Sequence, residues 1–388
     1  MKNFQYKYYT VLVYIILLVG GSCSSRQKED INYDKKIYNP KYSSNFKIEG
    51  SDNSDNILIS VFNPWQGSQD IVSRLLIVRD SIAPTNYNGQ ILKGNAQRIV
   101  CMSSTHIAML DALDQVHTVV GVSGKEYVSN PKIIASSQFI PDIGYEGFIN
   151  YESLISVNPD IVLLFSVNGA SSMEAKLNEL NIPYLYIGDY VEEDPLGKAE
   201  WIVPIAEVLG MREKGINKFK EISTKYCALK NQLKDKVSHH PKVMVNAPFL
   251  DSWFMPSSVS YVARLIQDAG GDYIYIKNTG NSSEPIDMEE ALKLVSEADY
   301  WINIGAVKSM EELKSILPKF SNANCVVKGN LYNNNRLSTP GGGNDCYESG
   351  VMNPHLLLQD LVKILHTADT ANNVTVNEDE LIYYHRLK

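Results

Sequence analysis

Apolar residues along this chain follow two spacings in turn, and the alternation predicts strands separated by helices. The run "RIVCMSS" (98–104) is continuously apolar until it ends in small polar residues, which is typical of a buried strand. The next segment, "STHIAMLDALD", carries a Ser or Thr cap and apolar residues at helical spacing. "TVVGV" (118–122), "DIVLL" (160–164) and "PYLYI" (183–187) repeat the strand pattern. The alternation predicts an α/β fold with a parallel sheet covered on both faces.

The second half of the chain repeats this pattern after a long helical stretch. "KVMVN" (242–246), "YWINI" (300–304) and "NCVVK" (324–328) are predicted strands, with helical segments between them. Apolar residues from Ile216 to Val237 recur in steps of three and four, which predicts one long helix. At 211–237 it would span about 40 Å. We therefore predict two Rossmann-like lobes joined by one long rigid helix: an N-terminal lobe (97–194), a linking helical segment (195–237) and a C-terminal lobe (238–366).

The ends of the chain do not share the α/β pattern. Residues 46–96 contain short strand patterns and predict a small β-rich extension, and 367–388 form a tail. Residues 1–22 combine lysines, a short apolar run and "GGS" just before Cys23, which is typical of a lipoprotein signal peptide that would leave Cys23 lipidated. An ordinary cleaved signal with an incidental cysteine is the alternative; either predicts export. Polar residues 23–45 would be a flexible tether.

Charge and motif content exclude several classes of function. The net charge is −8, with no long basic stripe, so nucleic acid is not an expected partner. No nucleophile elbow, phosphate-binding loop or His-Glu-x-x-His motif occurs. The four other cysteines are scattered without metal-site spacing, and could be buried thiols or include one disulfide. The 23 tyrosines suit either binding clefts or strand surfaces.

Three segments of the sequence, taken together, resemble a known family. "RIVCMSSTHIAMLDALDQVHTVVGVSG", "DIGYEGFINYESLISVNPDIVLL" and "EADYWINI" are similar to substrate-binding proteins of iron-chelate and vitamin B12 uptake, which serve ATP-binding-cassette (ABC) importers. The resemblance covers about 96–366, and "PLGKAEW" and "GGGNDCYESG" resemble a lipoprotein subgroup common in Bacteroidetes. It implies a monomeric, lipid-anchored periplasmic protein with no catalysis or intrinsic cofactor. Its transported ligand would be a ferric siderophore, haem or cobalamin, and its partners a permease and, indirectly, an ATPase.

The resemblance also implies which residues bind the ligand. Open parallel sheets bind ligands at the carboxyl ends of their strands, so the strand-end loops of both lobes should line a cleft. The residues expected there are His106, Tyr127, Tyr145, Trp253, Phe254, Asp345 and Tyr347. Related haem binders coordinate iron through Tyr or His, which leaves direct ligation by Tyr127, Tyr347 or His106 open.

A repeated carboxylate marks a second surface. Glu152 precedes Asp160 by eight residues in the first lobe, and Glu290 precedes Asp299 by nine in the second. A carboxylate at a helix start interacts favourably with the helix dipole whatever its function. The resemblance implies that one exposed glutamate per lobe meets permease arginines, here Glu152 and Glu290, with Glu289 as the alternative register.

Two other functions remain open on the sequence alone. A divalent-metal (Zn or Mn) receptor of the same fold would need three or four His, Asp or Glu ligands converging in the cleft, and only His106 is well placed. An extracellular enzyme would need a nucleophile or an acid–base pair that the motifs do not supply.

Overall fold

The computed structural model of the protein describes residues 32–79, 87, 89–234, 237, 239–249, 252–366 and 380–388. The predicted signal peptide, Cys23 and the first part of the predicted tether lie outside these residues. Among the described helices, none has both the length and the apolar content needed to cross a membrane.

The N-terminal extension is a five-stranded sheet. Its strands lie in the order β1-β2-β3-β4-β5, antiparallel except for the parallel β4–β5 pair. Strand β1 lies inside the predicted tether, where a short polar strand gives no periodic signal. The strands are β1 (Lys35–Tyr38), β2 (Phe46–Ser51), β3 (Ser54–Phe62), β4 (Val72–Val78) and β5 (Gln90–Lys93).

One buried carboxylate fastens the extension to the rest of the molecule. Glu200 is fully buried, and its two oxygens accept four hydrogen bonds from the end of β1 and the segment that follows it. The donors are the Tyr38 hydroxyl (2.6 Å) and the backbone N–H groups of Lys41 (2.7 Å), Tyr42 (2.8 Å) and Ser43 (2.9 Å). Four donors compensate the cost of burying this carboxylate without a cation.

The N-lobe is built on a four-stranded parallel sheet in the order β11-β10-β6-β7. Every residue of β6, β7, β10 and β11 is buried, as expected for a parallel sheet covered on both faces. The strands are β6 (Ile99–Cys101), β7 (Val119–Val122), the hairpin pair β8 (Gly144–Tyr145) and β9 (Phe148–Ile149), β10 (Ile161–Leu164) and β11 (Tyr184–Tyr186). The helices are α1 (Ser104–Ala112), α2 (Pro131–Ile134), α3 (Tyr151–Ser156) and α4 (Met173–Glu179).

Three helices connect the lobes: α5 (Pro195–Glu200), α6 (Ile202–Val208) and α7 (Arg212–Lys234). The third has 23 residues and is roughly 35 Å long. It packs against α6 on one side and against the last helix of the C-lobe on the other. The predicted long linking helix is therefore confirmed.

The C-lobe contains a second sheet, in the order β14-β12-β16-β17-β18. The strands are β12 (Lys242–Val245), the hairpin pair β13 (Trp253–Met255) and β15 (Glu284–Ile286), β14 (Asp272–Tyr273), β16 (Tyr300–Ile302), β17 (Leu331–Asn333) and β18 (His385–Arg386). The helices are α8 (Tyr261–Asp268), α9 (Met288–Glu297), α10 (Met310–Ile316), α11 (Asn324–Val327), α12 (Ser349–Met352) and α13 (Pro354–His366). Together the two lobes and the helix confirm the predicted fold class.

Two details of the C-lobe differ from the sequence prediction. "NCVVK" is a short helix, α11, and the strand that pairs with β16 begins later, at Leu331. The end of the predicted tail is part of the lobe, since β18 pairs antiparallel with β17. The buried carboxylate of Asp360 on α13 accepts the backbone N–H groups of Tyr383 and Tyr384 and so holds this end in place.

Candidate ligand-binding cleft

A cavity of about 350 Å³ lies between the two lobes. Its N-lobe wall comes from residues within a few positions of the carboxyl ends of β6, β10 and β11, the strand ends at which open parallel sheets bind ligands. Its C-lobe wall comes from the segment 257–262, which runs into the first turn of α8, from the loop 280–283 and from the segment around Tyr347. Four aromatic side chains face it: Phe165, Tyr190, Tyr261 and Tyr347.

Opposite charges sit inside this aromatic cleft. Asp189 is 2% exposed, and burial raises the pKa of its carboxyl group while nearby Lys198 opposes the rise. The Lys198 Nζ lies 3.9 Å from an Asp189 oxygen and 5.1 Å from the centre of the Tyr261 ring. The cleft therefore offers flat apolar surfaces together with a small number of fixed polar groups.

A second cavity of about 320 Å³ adjoins the first on the N-lobe side and shares Ser103 and Phe165 with it. Tyr127 and Tyr145 line it. Tyr145 is carried by the β8–β9 hairpin, where its ring lies 5.5 Å from the Phe148 ring. The hairpin requires glycine at 144, because φ is +82° there and a Cβ atom would lie 2.1 Å from the Phe148 carbonyl oxygen.

Three of the predicted ligand residues lie on these walls. Tyr127, Tyr145 and Tyr347 are 51%, 55% and 57% exposed, so each has much of its side chain free to contact a ligand. The Tyr347 hydroxyl accepts a hydrogen bond from Asn334 at 2.9 Å. Desolvation by surrounding protein atoms raises the pKa of that hydroxyl.

His106 and Trp253 lie in the protein interior, which corrects the expectation that they face the cleft. His106, on the inner side of α1, is fully buried, and burial lowers its pKa to about 3. Trp253 is also fully buried, with its ring 5.3 Å from that of Trp301 and 5.7 Å from that of Phe320. Neither lines the two cavities.

Phe254 and Asp345 are placed outside both cavities. Phe254 is 45% exposed on the opposite face of β13 from Trp253. Asp345 accepts hydrogen bonds from the hydroxyls of Ser349 (2.6 Å) and Ser129 (3.1 Å). Because Ser129 belongs to the N-lobe, Asp345 helps join the lobes.

The cleft residues that were not predicted include Phe165, Asp189, Tyr190, Lys198 and Tyr261. Phe165 directly follows β10, so the strand-end rule that selected Tyr127 could have found it. Asp189 and Tyr190 begin a short turn shortly after β11. Lys198 and Tyr261 are on helices, and only the packing of those helices brings them to the cleft.

The candidate docking glutamates differ in their surroundings. Glu152 is exposed in the first turn of α3, whose cap is Asn150. Glu290 is partly buried and forms an ion pair with Lys277. Glu289, one residue earlier, is exposed.

The described part of the chain has neither a clustered metal-ligand set nor a disulfide. No group of three or more His, Cys, Asp or Glu side chains there is arranged to hold a metal ion. The four described cysteines, Cys101, Cys227, Cys325 and Cys346, are free thiols.

Two α/β lobes, a long helix between them and an aromatic cleft where they face each other define a solute-binding protein rather than an enzyme. Residues 99–330 match the family model described as periplasmic binding protein. The chain belongs to the periplasmic binding protein family.

Individual relatives agree with this assignment. An uncharacterized lipoprotein of Methanocaldococcus jannaschii is 24% identical over 92% of this chain and 91% of its own length. The fold is similar to that of the haem-binding protein RhuT from Roseiflexus sp. RS-1, with a TM-score of 0.54 and 18% identity over 71% of this chain and 99% of that one. The vitamin B12-binding protein BtuF of Vibrio cholerae has a TM-score of 0.53 and 13% identity over 71% of this chain and 98% of its own.

Proposed function

We propose that this protein captures a metal chelate, a ferric siderophore, haem or cobalamin, in the cleft and delivers it to the permease of an ABC importer. The observation that carries the proposal is the pair of adjoining aromatic cavities, of about 350 and 320 Å³, at the strand ends of the lobes. Large flat ligands need such surfaces with a few polar contacts. The named ligands of the haem-binding and vitamin B12-binding structures, which share the fold, support the same ligand class.

The residues proposed to contact the chelate are those on the cavity walls. Tyr127, Tyr145 and Tyr347 remain in the set, and Phe165 and Tyr261 join them. His106 and Trp253 leave it because their side chains are enclosed by the lobe interiors.

Delivery would use one exposed glutamate on each lobe. Glu152 is the N-lobe candidate. In the C-lobe we favour Glu289 over Glu290, since Lys277 already neutralises Glu290 and would compete with a permease arginine. Rim charges of this kind orient an encounter more than they add affinity.

Membrane attachment through lipid on Cys23 is part of the same proposal. Two acyl chains bury enough CH₂ groups to give stable anchorage. Two relatives from Methanocaldococcus jannaschii are named lipoproteins, which supports it.

The binding step is tested by titrating the purified protein with haem, cyanocobalamin and a set of ferric siderophores, read by absorbance. At least one should bind saturably at one equivalent. Tyr145→Ala and Tyr347→Ala should each weaken binding by about tenfold, since a ring in a cleft contributes roughly 1–2 kcal/mol. Phe139→Ala removes a ring that is 82% exposed and outside the cavities, and should not change affinity. Absence of binding to every chelate would refute the proposal.

The delivery step needs transport in cells. Replacing Glu152 and Glu289 together by Ala should reduce uptake while the affinity of the purified protein for its chelate stays the same. Glu290→Ala is the matched comparison and should have the smaller effect on uptake. Full uptake by the double variant would contradict the docking assignment.

A further inference from the structure

The N-terminal extension forms part of the cleft wall. Gln66, in the loop between β3 and β4, lines the interlobe cavity. The same loop lines a further cavity of about 410 Å³ with Asn63 and Trp65. This extension cavity shares Val191–Glu193 and Asn281 with the interlobe cavity, so the two are adjoining chambers. The family match begins only at residue 99, so this wall lies outside it.

The β3–β4 loop is held in a defined conformation. Asn63 and Asp70 adopt the left-handed backbone region, with φ of 46° and 57°. Two hydrogen bonds close the loop. The Asn63 N–H donates to the Ile71 carbonyl at 3.0 Å, and the Ile71 N–H donates to the Asn63 side-chain oxygen at 3.1 Å. The Gln66 N–H donates to the Val167 carbonyl of the N-lobe at 3.0 Å, and the Trp65 ring packs edge-on against Tyr186. The wall is therefore formed before any ligand arrives, which lowers the entropic cost of binding.

Carboxylates outnumber cations around the joined chambers. Glu193 is exposed and Asp194 is half-buried beside the extension cavity. Glu192 is buried between the two chambers, where burial raises its pKa to about 7. The charged side chains that line the two chambers are Asp189, Glu192, Glu193 and Asp194 against Lys198 and Arg264. Even without Glu192, three carboxyl groups line the chambers against two basic groups.

We propose that the extension completes the ligand site and that the carboxylates at 189–194 beside it make the site selective for a chelate without net negative charge, which places an amide- or hydroxyl-bearing arm against the β3–β4 loop. This inference rests on the function proposed above and narrows its ligand class. An uncharged or cationic arm finds carboxylate acceptors and the side-chain amides of Asn45, Asn63 and Asn281. A carboxylate arm meets like charge in a partly enclosed site, where repulsion is weakly screened.

Matched ligands test the charge selection. Cyanocobalamin is compared with its monocarboxylic acids, in which one peripheral amide is hydrolysed. Ferrioxamine B, which is cationic, is compared with its N-succinyl derivative, which is anionic around the same iron centre. In the pair that the protein binds, the uncharged or cationic member should bind about tenfold more tightly. Equal affinity, or tighter binding of the anionic member, overturns the inference. Binding of haem alone overturns it too, but leaves the proposed function intact.

Protein variants test the location of the selection. The double variant Glu193→Gln with Asp194→Asn keeps a side chain able to cap α5 and should reduce the preference several-fold. Gln66→Ala should weaken the binding of both ligands of the matched pair to the same extent. Glu311 is an exposed carboxylate outside the cavities, so Glu311→Gln is the control and should change neither the affinity nor the preference. An unchanged preference in a double variant that melts like wild type would overturn the assignment. A wild type that binds no chelate would refute the proposed function and this inference with it.

Discussion

Replacing Glu200 by Gln tests whether the extension depends on one buried carboxylate. Each Glu200 oxygen accepts two hydrogen bonds, from Tyr38 and Lys41 on one side and from Tyr42 and Ser43 on the other. Gln keeps the size of the side chain and one of the two oxygens. Its NH₂ group would point at two donors, so two hydrogen bonds are lost and two donors are left without an acceptor.

The expected loss follows from the number and kind of these bonds. A hydrogen bond to a charged group contributes about 1.5–3 kcal/mol, and two are lost. Glu200→Gln should therefore lower the free energy of unfolding by about 3–6 kcal/mol, a large part of the 5–15 kcal/mol typical of a folded protein. The loss should be concentrated in β1 and the segment that follows it, because those residues supply all four donors.

Urea unfolding gives the total effect, and hydrogen exchange by mass spectrometry gives its location. Exchange should increase in 35–62 well before it increases in the parallel sheets of the lobes. Glu213→Gln, an exposed carboxylate on α7, is the matched control and should stay within about 0.5 kcal/mol of wild type. A Glu200→Gln variant with wild-type stability and wild-type exchange in this segment would refute the reasoning.

Three further substitutions give separable results. Burial raises the pKa of Glu192 from 4.5 to about 7, so between these pH values the folded state holds a proton that the unfolded state has lost. The free energy of unfolding should therefore fall by about 3 kcal/mol as the pH rises from 4.5 to 7. Glu192→Gln should remove this pH dependence, as measured by urea unfolding. Gly144→Ala would force a Cβ atom against the Phe148 carbonyl, so it should displace Tyr145 and weaken chelate binding in an absorbance titration; unchanged affinity would contradict this. Trp253→Ala should cost about 3–5 kcal/mol in thermal or urea unfolding, and a smaller loss would argue against its core placement.

Elements with a sustained apolar pattern could be predicted from sequence. The buried strands β6 and β10 are continuous apolar runs, β12 is apolar and buried after Lys242, and the stripe on α7 holds its period over many turns. The two-residue strand β18 and the polar strand β1 carry no period, because pairing with a neighbour defines them. "NCVVK" has the composition of a strand, yet the position beside β16 is taken by β17.

The site could be predicted only as far as strand ends determine it. Tyr127, Tyr145 and Phe165 lie near the ends of sheet strands or in the loops that follow. Trp253 and Phe254 are neighbours on β13, and alternation along a strand sends one inward and the other outward. The residue type alone does not show which of the two points inward, because that depends on the Trp301 and Phe320 rings, which pack against Trp253.

Contacts at the back of the cleft bear on how the ligand is selected. Glu348 of the C-lobe is buried and accepts hydrogen bonds from both the backbone N–H and the hydroxyl of Ser129 in the N-lobe, each at 2.7 Å. Beside it two backbone segments of the chain approach so closely that a Cβ atom on Gly343 would lie 2.2 Å from the Tyr127 carbonyl oxygen. With α7 also packed on helices that flank both lobes, a large hinge movement would break buried hydrogen bonds and close backbone packing at once. The cleft must therefore discriminate with the shape and charge that it already has, which is why fixed carboxylates at 189–194, beside the wall that the extension supplies, would affect the choice of chelate so directly.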